Sequence, residues 1–203
     1  MPAALARLLH QRTEIDDTDF DRLYPSSQRP RSSLHWTPIE VATRAVELLA
    51  PNGEHVLDVG SGVGKLCLVG AATTAGTWVG IEQDAEMVRV ARAAAASMRL
   101  DHRVTFVHGD IADVDWATFD SFYLFNPFAE TLFAGDGDPL ERRDRYIENI
   151  HFAQQQIARV AVGTRVVTFH GFGGDMPPGF REVVREQMYE GDLCLWIKDE
   201  SRS

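Results

Sequence analysis

Short runs rich in Val, Ile, Leu and Phe recur at about residues 54–59, 77–82, 103–108, 120–126 and 163–170, each the length of a buried strand. The stretches between them read as helices near 63–75, 85–99 and 139–161, with a short helical turn around 113–118. Strands that alternate with helices predict an α/β chain built on a parallel sheet. After the fifth run the pattern changes. Arg181–Tyr189 and Leu193–Lys198 are strand-like and flank Glu190-Gly191-Asp192, a hairpin signal that adds two antiparallel strands.

The first 36 residues do not follow this alternation. Ala3–His10 has the pattern of a short helix, Glu14–Asp21 is acidic, and Tyr24–Trp36 holds two prolines and four serines, a loop composition. Thr37-Pro38 then opens a helix through Leu49, with Thr37 as the cap and Pro38 at the first helical position, where a missing N–H costs nothing. The chain thus divides into an N-terminal segment, 1–36, and a domain, 37–203.

Composition adds limits. The 203 residues, 44% hydrophobic and 25% charged, suffice for one domain with a sizeable core. Thirty acidic against 20 basic residues leave a net charge of −10, which disfavours a broad nucleic-acid surface and favours cationic partners. No run approaches the roughly 20 apolar residues of a membrane span, and Met1–Gln11 has too short an apolar run for a secretory signal, so a cytoplasmic location is expected. Cys67 and Cys194 have neither metal-ligand spacing nor disulfide density and are expected in the core.

The chemistry concentrates where the first strand ends, at Asp58-Val59-Gly60-Ser61-Gly62-Val63-Gly64-Lys65. Glycines at 60, 62 and 64 allow a sharp turn and let a ligand lie against bare backbone. A dinucleotide fingerprint starting at Gly60 needs glycine at 65, where Lys65 stands. A phosphate-binding loop needs glycine at 59 and a hydroxyl at 66, where Val59 and Leu66 stand. What remains, an acidic residue followed by G-x-G-x-G, resembles the first motif of class I S-adenosylmethionine-dependent methyltransferases.

That resemblance covers roughly residues 37–198 and implies a Rossmann-like fold: a mostly parallel seven-stranded sheet with a C-terminal antiparallel hairpin and helices on both faces. The implied cofactor is S-adenosyl-L-methionine. Gly60, Ser61, Gly62 and Gly64 would pack against its methionine part, with Asp58 acting on the ammonium group directly or through water. In such a sheet, ligands bind beyond the carboxyl ends of the strands. The second strand ends at Glu82, whose carboxylate can accept from both ribose hydroxyls, with Gln83 beside it; Asp84 is better placed to cap the following helix. After the third strand, Asp110 matches the acid that takes a hydrogen bond from the adenine amino group, and Ile111 supplies apolar contact; simple helix capping is the other reading of Asp110. The N-terminal segment is implied to fold over the cofactor, with Pro25–Trp36 as a lid.

The fourth strand ends in Asn126-Pro127-Phe128, which resembles a shortened N-P-P-aromatic motif of amino-directed methyltransferases. An Asn oxygen can accept an N–H from an amine and aim its lone pair at the methyl group, while Phe128 walls the acceptor. Taken with Gly60-Ser61-Gly62-Val63-Gly64, these residues also resemble the non-SET, seven-strand histone-lysine methyltransferases, although Pro127 replaces their second Asn. The expected acceptor is an amine-bearing substrate, extending to a protein lysine. A small-molecule or RNA methyltransferase and a non-catalytic cofactor-binding module are the alternatives. His170, closing the fifth strand, is a further candidate for proton transfer, against a structural role.

Overall fold

The computed structural model describes residues 2–11, 13–31, 36–133 and 138–200. Five strands run parallel: β1 (His55–Val59), β2 (Thr77–Glu82), β3 (Val104–His108), β4 (Ser121–Phe125) and β5 (Arg165–Phe169). β6 (Phe180–Met188) and β7 (Gly191–Lys198) form the expected antiparallel hairpin. The sheet order is β3-β2-β1-β4-β5-β7-β6, so the last strand inserts beside β5 and leaves β6 at the edge. The helices are α1 (Pro2–His10), α2 (Asp17–Asp21), α3 (Ile39–Leu49), α4 (Lys65–Thr73), α5 (Ala85–Met98), α6 (Glu130–Phe133) and α7 (Pro139–Arg159). This is the Rossmann-like class I arrangement. No helix among the described residues is long and apolar enough to cross a membrane.

Two apolar layers cover the sheet. One gathers side chains of α1 to α5 against Trp78, Phe106 and Tyr123; the other gathers Ile150, Ala153 and Ile157 of α7 with Trp116, Phe122 and Phe128. In α4 every residue from Lys65 to Ala72 is buried, which is why its sequence shows no polar face. A lysine in such a helix needs a counter-charge, because an unpaired buried ammonium is costly. Asp17 and Asp21 of α2 both pair with Lys65 Nζ, the latter at 2.8 Å. Phe20, Tyr24 and Trp36 belong to the same core, so the described part of the N-terminal segment packs into the domain.

Two local expectations change. The turn near 113–118 is a pair of 3-10 turns, Ile111–Asp113 and Trp116–Thr118. Thr37 does not cap α3: its hydroxyl lies 3.2 Å from the Tyr123 hydroxyl, and Pro38 is the capping residue with no side-chain bond. The free Ile39 N–H instead donates to Asp17 Oδ1 at 2.9 Å. A carboxylate brought in by tertiary packing thus does the work that sequence spacing assigns to a neighbour.

Candidate active site

β1 pairs with β2 on one side and β4 on the other, so the order of strands reverses between β1 and β4 and opens a crevice at their carboxyl ends. The loop after β1 fills part of it. Gly60, Gly62 and Gly64 have φ of 73°, 53° and 79°, a region that favours glycine. The Gly60 and Ser61 N–H groups both donate to Ile81 O at 3.0 Å, folding the loop back onto β2. A Cβ at Gly60 would lie 2.9 Å from Pro127 Cβ, so the loop and the end of β4 pack at glycine distance. A Cβ at Gly62 would meet only Met87 Sδ, at 3.9 Å, which leaves that backbone open to a ligand.

Glu82, at the end of β2, accepts the Gly62 N–H through Oε2 and the Asp84 N–H through Oε1, both at 2.9 Å. These two bonds fix the carboxylate at the end of β2. Asp84 caps α5 as expected, accepting from Glu86 and Met87 N–H groups. Asp110 takes part in a capping box with Asp113. It also lines a cavity at the carboxyl ends of the strands.

That cavity brings together Gly60, Gly62, Glu82 and Gln83 with Asp110 and Ile111 on one side, and Asn126, Pro127 and Phe128 on the other. A smaller cavity alongside is lined by Asp58, Ser61 and the same loop backbone. Gly64 lies behind both, at the start of α4, where a Cβ would strike the Phe106 ring. His170 lines neither: it is exposed, beside the Phe125 ring, and Gly191 lies beneath its own ring. Sequence reasoning missed Met87, Asn149 and Lys65 as lining residues. Met87 and Asn149 sit in helical patterns that signal only packing. Trp36, read as the end of a lid, lines both cavities. Ser32, Ser33, Leu34 and His35 of that lid lie outside the described residues.

Asp58 is buried at the end of β1, with the Cys67 thiol donating to Oδ2 at 3.5 Å. Burial pushes its carboxyl up to about 7; the thiol bond opposes this and the nearby Glu82 charge adds to it. Two other buried groups, Trp36 Nε1 and Ser61 Oγ, have no hydrogen-bond partner. Bare loop backbone, the Glu82, Asp110 and Asp58 carboxylates and apolar lining such as Ile111 make a set of donors, acceptors and surface whose chemistry fits S-adenosylmethionine.

No curated protein sequence matches the chain. Among solved structures, it is similar to an RNA methyltransferase from Salinibacter ruber in complex with S-adenosyl-L-homocysteine, with TM-score 0.59 and 22% identity over 82% of this chain and 95% of that one. It is also similar to a Klebsiella pneumoniae protein provisionally described as an O-methyltransferase, with TM-score 0.62 and 16% identity over 97% of this chain and 96% of that one. TrmN from Thermus thermophilus gives TM-score 0.57 and 19% identity over 85% of this chain and 53% of that one. At these identities the likeness is one of fold. Residues 51–151 match the family model described as a methyltransferase domain, a stretch that runs from just before β1 into α7. It contains the glycine loop, Glu82, Asp110 and Asn126, and the chain carries a methyltransferase domain with the class I fold.

Proposed function

We propose that the chain methylates an amine nitrogen, with a protein lysine as the form of acceptor that the sequence suggests, and that it works in the cytoplasm. The carrying observation is Asn126. It sits at the end of β4 with φ 38°, its N–H donates to Gly171 O at 2.9 Å, and among the described residues no hydrogen bond engages its carboxamide. The backbone is thereby held in a conformation that Asn tolerates better than most residues, while the side chain stays available to a substrate.

S-adenosylmethionine supplies a methyl group already activated by the sulfonium. The chain's own task is to bind, orient and desolvate the acceptor. Asn126 Oδ1 accepts one N–H of the amine, which turns the nitrogen lone pair into the cavity, and the buried Phe128 ring excludes water behind it. An amine with a reference pKa near 10.4 must lose its proton before attack, and a neutral carboxamide avoids the added charge that would hold it as ammonium. Labelled cofactor incubated with cell lysate tests this reading. Label recovered as methyl-lysine in protein supports it, as does label on a small-molecule amine in its broader form. Label in RNA would place the chain's activity with that of the Salinibacter enzyme and overturn it.

The raised pKa of Asp58 adds a pH dependence. Below about 7 the free protein holds Asp58 neutral, so binding a cofactor ammonium there requires proton release. Affinity for S-adenosylhomocysteine is expected to fall as pH drops from 8 to 6, by up to about tenfold per unit below the pKa. Asp58→Asn should bind more weakly and flatten the profile, as read by calorimetry. In the free protein the sign is opposite. A carboxyl raised from 3.8 to about 7 favours the neutral form on folding, so its contribution to stability is lost as pH rises through that window.

A further inference from the structure

β6 closes the sheet, and among the described residues only β7 pairs with it, so the backbone N–H and C=O groups along its outer edge meet no strand. Open edges recruit extended chains, and a bulge is one device that blunts them. Here the bulge lies between Glu182 and Val184, and over 184–188 the ladder with β7 is regular. That regular half borders a groove of about 1580 Å3, walled by the exposed side of α3, by residues 13–19 and by residues 186–189 of the hairpin.

Side chains alternate along a strand, so Val184, Glu186 and Met188 share one face of β6. That face is the one toward α3: Glu186 pairs with Arg44, and Val184 and Met188 pack on the core layer to which α3 belongs. In an extended segment added beside β6, every second side chain therefore lies over the exposed side of α3. What it meets there is acid. Seven carboxylate side chains line the groove against one base, Arg44, which Glu47 and Glu186 already engage. Asp17 and Asp19 pair with Lys65 and Arg22. Among the described residues no base pairs with Glu14, Asp16 or Glu40. Ile15 and Met188 add apolar lining, and Tyr189, 58% exposed at the turn of the hairpin, offers a ring face to a cation.

We propose that this groove and edge together take an extended, basic segment of another polypeptide, which adds as a strand to β6 and directs alternate Lys or Arg side chains at Glu14, Asp16 and Glu40. The open edge supplies the site, and charge selects the occupant. A second copy of this chain would bring the same acidic lining, at net charge −10, and a nucleic acid its phosphates; repulsion between like charges opposes both. This docking needs no cofactor, so it stands or falls apart from the methylation reading.

Fluorescence anisotropy of short labelled peptides on the full chain tests this. An alternating Lys-Thr peptide is expected to bind saturably and to weaken as salt is raised, and its Glu-Thr counterpart not to bind. Glu14→Gln with Glu40→Gln, both at exposed positions, should weaken the Lys-Thr peptide about three- to tenfold, as expected for two surface ion pairs. Asp144→Asn with Glu148→Gln on α7 makes the same change in net charge away from the groove and should alter binding less than about twofold. N–H groups on alternate residues of a strand point to one side. Of two Lys-Thr peptides, N-methylated on every Lys or on every Thr, one should therefore lose at least about tenfold in affinity and the other keep it. No saturable binding, binding of the Glu-Thr peptide, equal losses in the two protein variants, or equal affinities of the two N-methylated peptides would each overturn the proposal.

Discussion

Replacing Lys65 with methionine is expected to destabilise the chain by about 3 to 5 kcal/mol, the cost of removing one partner from a buried ion pair. The Lys65 side chain is 2% exposed and that of Asp21 9%, so without the ammonium two carboxylates are left facing one another beside Phe20 and Trp36. For a domain of this size the loss corresponds to a fall in Tm of roughly 6 to 20 °C. Urea unfolding and thermal scans measure both. The triple variant Lys65→Met, Asp17→Asn, Asp21→Asn should recover most of the loss, because an ion cluster replaced as a whole can be close to neutral where a broken one is not. A single variant within about 1 kcal/mol of the parent would mean that the cluster contributes no more than an exposed pair.

Removing the Asn126 carboxamide is expected to cut the methyl-transfer rate roughly 100-fold while leaving S-adenosylhomocysteine affinity within about threefold, the pattern of an interaction made mainly in the transition state. Asn126→Ala places an alanine at φ 38°, where L-residues pay a backbone cost, so Asn126→Gly is the cleaner variant. The two should lose rate alike. Asn126→Asp keeps the acceptor oxygens and adds a charge that holds an amine substrate as ammonium, so its activity should recover as pH is raised. Full activity of Asn126→Asp at neutral pH would remove the main residue-level support for amine methylation.

These two residues were unequally visible in the sequence. Asn126 was legible because it ends a predicted strand in a parallel sheet, where position along the chain nearly specifies position in space. Glu82, Asp110 and the glycine loop were legible for the same reason, and the cavity gathers them. Lys65 served only to rule out a dinucleotide fingerprint. Its partners lie 48 and 44 residues upstream, in an acidic stretch whose composition does not mark which base it meets. Thr37 shows the converse. Its spacing before Pro38 satisfied a local capping rule, yet Asp17 meets the Ile39 N–H and Thr37 turns toward Tyr123.

The elements, the parallel run of five strands and the closing hairpin are all legible along the chain, because hydrophobic period and turn residues are local properties that burial of a sheet between helices enforces. The sequence also marks the strand ends whose residues line one cavity. Only the tertiary structure decided that the N-terminal segment is part of the core, that Trp36 reaches both cavities and that His170 reaches neither. The physical reason is that pairing of buried charges and satisfaction of buried donors depend on distances through space, and residues far apart in the chain supply them without any local pattern to mark them.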